Sequence, residues 1–307
     1  MTVSRAVAIG GGTGLPLVLR CLLECGFDVT AVVTVADDGG SSGHLRRELG
    51  ILPPGDIRNC LAALAQPGSE LARVFQYRFP HGEGLAGHAL GNLIIAALAD
   101  LEGDFASAVD AAGRMLGARG RVLPSTLSDV VLSGRDSYGR LITGQANVAM
   151  TDGPIARVCL EPAAPEAYPP AVSAIAEADV IIIGPGSLFT SIVPNLLVAG
   201  IADAIRASDA RVIYVCNVAN LRGETAGMDA ADHVEALVAH GLAGAIDVAL
   251  VDVSAVPGAR MHVGADAAVL SRIEALGVHV HTAALARADD PGRHDEAALA
   301  AALAEVW

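Results

Sequence analysis

Twice in this chain a short apolar run ends directly in a glycine-rich loop that opens onto a helical pattern. The first is Ala6-Val7-Ala8-Ile9, followed by Gly10-Gly11-Gly12-Thr13-Gly14. The second is Val180-Ile181-Ile182-Ile183, followed by Gly184-Pro185-Gly186-Ser187. A continuous apolar run without polar alternation marks a strand covered on both faces, which belongs in a parallel sheet. Glycine lets the backbone turn tightly and lets a ligand approach it. The helix that follows points free N–H groups and the positive end of its dipole at that ligand. Two such loops at the carboxyl ends of strands in one sheet would line a single crevice, the usual ligand position in open α/β sheets.

The rest of the pattern fits that frame. Residues 15–23 read as an apolar helix with Pro16 in its first turn, where the missing N–H does no harm, and Gly26 stops it. Residues 29–35 are a second β-branched run, completing a strand–helix–strand unit. From 45 to 116 the periodicity is helical, at 57–65, 69–75 and 88–101, with no strand. This predicts a helical insertion, residues 46–116, in a domain made of 1–45 and 117–307. Further on, 130–132 and 141–142 read as short strands of a small antiparallel piece. Residues 172–178 are a helix leading into the strand 179–183, then 211–216, 245–253 and 278–282 are strands, and 296–306 is a terminal helix. The expected fold class is α/β: a Rossmann-like, mostly parallel sheet with helices on both faces and a helical insertion. Residues 180–202 carry no charge and are long enough to span a membrane. They are broken by Gly184, Pro185, Gly186 and Pro194 and carry Ser187, Thr190, Ser191 and Asn195, so strand, turn and helix explain them better.

Charge narrows the chemistry. All 20 basic residues are arginine, against 34 acids and a net charge of −14. Without lysine there is no P-loop ammonium and no Schiff base. An acidic chain that is 3% aromatic suits neither counterion release on nucleic acid nor base stacking, so no nucleic-acid partner is expected. Cys21, Cys25, Cys60, Cys159 and Cys216 form no C-x-x-C pair and are odd in number, which fits reduced core thiols in a cytoplasmic protein. No signal peptide is expected at the short N-terminus. No H-E-x-x-H, Cys/His zinc spacing or G-x-S-x-G occurs.

Several groups carry candidate chemistry. Gly10–Gly14 matches a dinucleotide fingerprint only in part, because Leu15 stands where the third glycine belongs. Asp37 and Asp38 end the second strand and run into Gly39-Gly40-Ser41-Ser42-Gly43. This is either a solvated acidic turn or a metal or substrate loop of the kind that suits Mg²⁺, which takes one or two carboxylates plus phosphate. In Pro53-Pro54-Gly55-Asp56-Ile57-Arg58-Asn59, Asp56 reads as a helix N-cap or a further acid, and the Arg58 fork suits a phosphate. His88 and Asn92 share a face at i, i+4 if one helix holds both. Asn217 ends a strand toward the same crevice. Glu224 and Thr225 divide evenly between turn or cap groups and ligand groups.

These segments, in this order, closely resemble the YvcK-type proteins, called gluconeogenesis factors, within the CofD-like superfamily. The resemblance covers about residues 7–253. It implies a Rossmann-like sheet with a helical insertion. It also implies binding of UDP-N-acetylglucosamine at Gly11, Gly12, Thr13, Gly14, Ser41, Ser42, Arg58, Asn59, His88, Asn92, Gly184, Gly186, Ser187 and Asn217. The implied role is in cell shape and peptidoglycan synthesis on gluconeogenic carbon sources, through a downstream protein partner. The sister branch resembles it in architecture and is an enzyme, a 2-phospho-L-lactate transferase that uses Mg²⁺ held by aspartates. Asp37, Asp38 and Asp56 match those positions in order. The leading expectation is thus a cytoplasmic nucleotide-sugar-binding regulator, with an Mg²⁺-dependent transferase as the alternative. A nicotinamide oxidoreductase rests on the partial fingerprint alone. A homodimer is the default for such a chain. Lacking lysine, it should hold a diphosphate through the N–H groups of two glycine loops, two helix N-termini, Arg58 and a divalent ion.

Overall fold

The computed structural model describes residues 3–151, 153–254 and 261–307. Seven strands form one sheet: β1 (Arg5–Gly10), β2 (Asp28–Val33), β3 (Arg121–Pro124), β7 (Val180–Ile183), β8 (Arg211–Val215), β9 (Val248–Asp252) and β10 (His279–Ala283). Their order is β10-β9-β8-β7-β1-β2-β3, and every neighbouring pair is parallel. The expected α/β architecture is present, and six of the seven strands lie within a few residues of the expected bounds; β3 had no bounds of its own, because Arg-Val-Leu-Pro is short and has a single β-branched residue.

The small antiparallel sheet holds β4 (Val131–Asp136) between β5 (Leu141–Thr143) and β6 (Ile155–Glu161). The third strand was not anticipated. Arg157 and Glu161 interrupt and end it, so its apolar residues fall in runs of only two and three.

Strand order explains how helices come to cover both faces. From β1 the chain steps outward to β2 and β3, and later from β7 outward the other way to β8, β9 and β10. Right-handed crossovers running in opposite directions place their helices on opposite faces. Helix α1 (Leu15–Glu24) packs on α3 (Gly55–Leu64) and on the terminal helix Glu296–Val306, while Pro169–Ala176 packs on Ile201–Ala207.

Between β2 and β3 lie α2 (Gly40–Leu49), α3, α4 (Glu70–Phe75), α5 (Leu90–Glu102) and α6 (Phe105–Leu116). Helix α2 runs through the boundary drawn at 45/46, so the acidic turn after β2 passes straight into helix. Ser69 caps α4 by accepting the Ala72 N–H, and Asp104 caps α6. Cys21, Cys60 and Cys216 are buried free thiols, whereas Cys25 and Cys159 are exposed. Among the described residues no helix is long and apolar enough to cross a membrane. Residues 188–196 are the helix expected after the glycine turn, and its first turn is π-helical, which was not anticipated.

Candidate functional site

Strands β1 and β7 are parallel neighbours, Ile9 beside Ile183, and the order in which strands are added to the sheet reverses between them. Their two glycine loops therefore emerge side by side at the topological switch point. They pack backbone on backbone. A Cβ on Gly14 would stand 2.5 Å from the Pro185 carbonyl oxygen, and one on Gly186 would stand 3.2 Å from the Gly11 oxygen. Gly12 has φ +67°, a left-handed conformation that disfavours any side chain.

Asn217, just past β8, holds the second loop from the side. Its Nδ2 donates to the Gly186 carbonyl (2.7 Å), and its Oδ1 accepts the Gly186 N–H (3.1 Å). Asn195 holds the first loop from below, donating Nδ2 to the Gly10 carbonyl (3.1 Å). The loops are thus fixed in advance of any ligand.

One expectation is corrected here. The helix after the second loop does not offer a free N-terminus. Glu224 Oε1 accepts the N–H groups of Phe189 (2.5 Å) and Thr190 (3.2 Å), and Oε2 accepts the Thr190 hydroxyl (2.9 Å). The buried carboxylate already neutralises that dipole end, and desolvation pushes its pKa up. Glu224 is a cap, though for a helix 34 residues away in sequence. Thr225 accepts the Leu221 N–H as a turn group.

A cavity of about 500 Å³ opens over the two loops. Thr13, Gly14, Gly186, Ser187 and Asn217 line it, together with Arg20, Arg287 and Arg293. The arginines were not anticipated. Arg20 makes a double hydrogen bond to Glu296 (2.7 Å each), Arg287 one to Asp289 (2.9 and 2.6 Å), and Arg293 lies 3.2 Å from Asp290. The last two stand on a turn closed by the Arg287 N–H on the Arg293 carbonyl, 2.9 Å. Its Asp-Asp-Pro-Gly sequence signals a turn. Nothing in the sequence says that the turn folds back over the glycine loops. Exposed pairs of this kind contribute little stability and exchange readily for another anion.

Asp37, Asp38, Asp56, Ser41, Ser42, Arg58, Asn59, His88 and Asn92 lie toward the helices that follow β2, and none of them lines that cavity. Asp37 accepts the Gly39 N–H (2.9 Å). Burial raises the Asp37 carboxyl above its usual value, opposed by Gly39, Ser42 and Arg58. Burial also pushes Asp56 up to about 6, against the Gly12 N–H and with Asp37 repelling it. Asp56 is not the cap of α3, whose N-cap residue is Pro54. It stands in the first turn and faces the first glycine loop, where a Cβ on Gly11 would come within 2.6 Å of its Oδ2.

Asp38 turns away. Its two oxygens accept the N–H groups of Gln145 (3.0 Å) and Ala146 (2.8 Å), capping α7 (Gln145–Ala149). Ser41 Oγ accepts from Asn92 Nδ2 (3.0 Å) and lies 3.1 Å from His88 Nδ1. His88 precedes α5, so the two residues meet at Ser41 rather than along a helix face.

The family resemblance implies Mg²⁺, and the residues fit in part. Among the described residues no group of three His, Cys, Asp or Glu side chains could hold a metal. Asp37 and Asp56 repel each other beside a phosphate-type loop, and two carboxylates plus ligand phosphates are a usual Mg²⁺ environment. Asp38 does not fit, because both its oxygens are engaged.

Comparison with known proteins sets this geometry in context. The family model described as 2-phospho-L-lactate transferase CofD matches residues 6–286. The gluconeogenesis factor of Bacillus subtilis is 47% identical over 253 residues, covering 82% of this chain and 80% of that one. That of Halalkalibacterium halodurans is 46% identical over 251 residues, covering 82% and 78%. A Nostoc relative with a gluconeogenesis-factor name is 55% identical over 233 residues, 76% of this chain, but the match spans only 51% of that protein's length. A crystal structure of a UPF0052 family member from Bacillus halodurans superposes with a TM-score of 0.92 at 40% identity, covering 99% of both chains.

Proposed function

The chain belongs to the gluconeogenesis factors with a CofD-like domain, and from that premise we propose that its cleft binds a nucleotide sugar, UDP-N-acetylglucosamine, as a regulatory ligand. The observation that carries this reading is the pair of glycine loops held in contact beneath a cavity lined by Arg20, Arg287 and Arg293. The free N–H groups at the start of α1 and the displaceable guanidinium groups supply what lysine cannot. The diphosphate lies against Gly12–Gly14 and Gly186–Ser187, and the arginines exchange their carboxylate partners for it. In the cytoplasm, the loaded form would act as a homodimer on a protein partner in cell-wall synthesis, supporting cell shape and peptidoglycan synthesis on gluconeogenic carbon sources.

Isothermal titration with UDP-N-acetylglucosamine, with and without Mg²⁺, tests it. Micromolar binding that weakens about tenfold or more in Arg287→Gln/Arg293→Gln is expected. No heat at millimolar ligand in either buffer would end the reading.

A second reading is an Mg²⁺-dependent transferase of the 2-phospho-L-lactate type. The pairing of Asp37 with Asp56 beside Gly12 favours it. These two carboxylates would hold the ion, which would offset charge on a nucleotide-linked phosphate. Product formation on a deazaflavin alcohol, followed by mass spectrometry, is the measurement. Turnover that survives Asp37→Asn and Asp56→Asn together would exclude it.

A further inference from the structure

A second cavity, of about 840 Å³, opens on the helices between β2 and β3 and shares no lining residue with the one over the glycine loops. It is lined by Leu93, Ala96 and Ala97 of α5, by Leu49 and Ile51 where α2 ends, and by Leu127 after β3. Helix α5 is apolar beyond the stripe it packs. Ile95 is fully buried against the core, whereas Leu93, Ala97 and Leu101 follow one another at i, i+4 and i+8 on a row that is not. A helix apolar on more than its packed face is normally covered on the other face as well. Here Leu49 stays 58% exposed, Leu127 42% and Leu101 80%. Single exposed leucines are ordinary on a protein surface, but leucines gathered on and beside one concave surface are the mark of an interaction site.

The charge around the groove says what kind of partner fits. Its charged lining residues are Asp100, Asp104 and Asp129, and no arginine lines it. Asp129 pairs with Arg46, while Asp100 and the neighbouring exposed Glu102 form no ion pair among the described residues. A second copy of this chain is a poor occupant. A two-fold contact sets a patch against its own image, so these acids would face each other between two chains of net charge −14. A basic partner gains where a second copy loses.

We propose that this groove docks an amphipathic helix of a partner protein, with apolar side chains laid between Leu49, Leu127 and α5 and with arginine or lysine at its flanks. The anchors supply affinity by burial, and the acidic rim selects the partner by sign and speeds the encounter. The proposal stands whether or not the cleft over the glycine loops takes a nucleotide sugar.

Fluorescence anisotropy on the full chain tests it, with two labelled peptides. Both carry leucines at i, i+3, i+4 and i+7. One has arginine and lysine between them, and the other has glutamate at the same positions. The basic peptide binds and weakens as salt rises, and the acidic one does not bind. Leu49→Ser/Leu127→Ser removes surface anchors without touching the core and weakens the basic peptide by about tenfold. Asp100→Lys/Asp129→Lys changes only exposed side chains and reverses the preference, so that the acidic peptide now binds the more tightly. A merely sticky surface would not make that exchange. The proposal is overturned if the basic peptide fails to bind at about millimolar protein, if the acidic peptide binds the wild-type chain equally well, or if neither pair of substitutions changes the outcome. It is also overturned if light scattering finds a wild-type dimer that Leu49→Ser/Leu127→Ser splits, since the groove would then belong to a second copy.

Discussion

The two ends of the crevice solve the same problem of charge in opposite ways. Over the glycine loops, Arg20, Arg287 and Arg293 are partly exposed, and each has a carboxylate partner. Toward the helices after β2, Arg58 is buried and unpaired while Asp37 and Asp56 are desolvated. An exposed pair is cheap to form and cheap to exchange, whereas a buried group without its partner is costly until something arrives. Elsewhere in the interior, buried ionisable groups do have fixed partners. Glu224 holds a helix end. His233 lies between Tyr214 Oη (3.3 Å) and Asn220 Oδ1 (3.0 Å), beneath the loop that carries Asn217 to Leu221.

That contrast can be broken by measurement. The largest effect is expected from pH acting on the partnered interior. His233 is held neutral, with its pKa lowered from 6.5 to about 4 by burial. Once unfolded it takes up a proton below pH 6.5, so folded stability is full above that pH. It falls as pH drops toward 4, by on the order of 3 kcal/mol. His240 and His294 are shifted the same way. Denaturant melts between pH 7 and 4 check this, and His233→Gln should flatten the slope.

Next is Glu224→Ala, which orphans two N–H groups and a hydroxyl and should cost about 2–3 kcal/mol in the same melts. Glu224→Gln keeps an acceptor and should cost less than half as much. Gly14→Ala drives a methyl into the Pro185 carbonyl, so about 1–3 kcal/mol of stability should go, with loss of UDP-sugar binding by calorimetry. The smallest effect sharpens the comparison itself. Asp289→Asn/Asp290→Asn frees the exposed arginines, and affinity for the UDP-sugar should rise by only about two- to fivefold, because such pairs contribute about 0–1 kcal/mol. Unchanged or weaker binding would show that these carboxylates do not compete with the ligand.

Much of the frame was legible in the chain. The runs at Ala6–Ile9 and Val180–Ile183 are apolar without alternation because both faces of a central parallel strand are covered, and the glycines that end them are where backbones touch. The helical stretch after β2 was legible for the same local reason. What escaped were pairings across long separations. Asp38 and Gln145 lie 107 residues apart, and Arg20 and Glu296 lie 276 apart. The strand β6 escaped because Arg157 splits its apolar residues into runs too short to mark a strand.

Local sequence therefore determined the elements, the glycine turns and the absence of any lysine clamp, since each depends on neighbours within a few residues. Tertiary structure alone decided which charges meet. It set the β1–β7 adjacency, folded the Arg287–Arg293 turn over the loops and turned Asp38 and Glu224 into caps. It also left Arg58 buried without a counter-charge. Coulomb interactions and desolvation depend on distance and surroundings in space, and those exist only once the chain has packed.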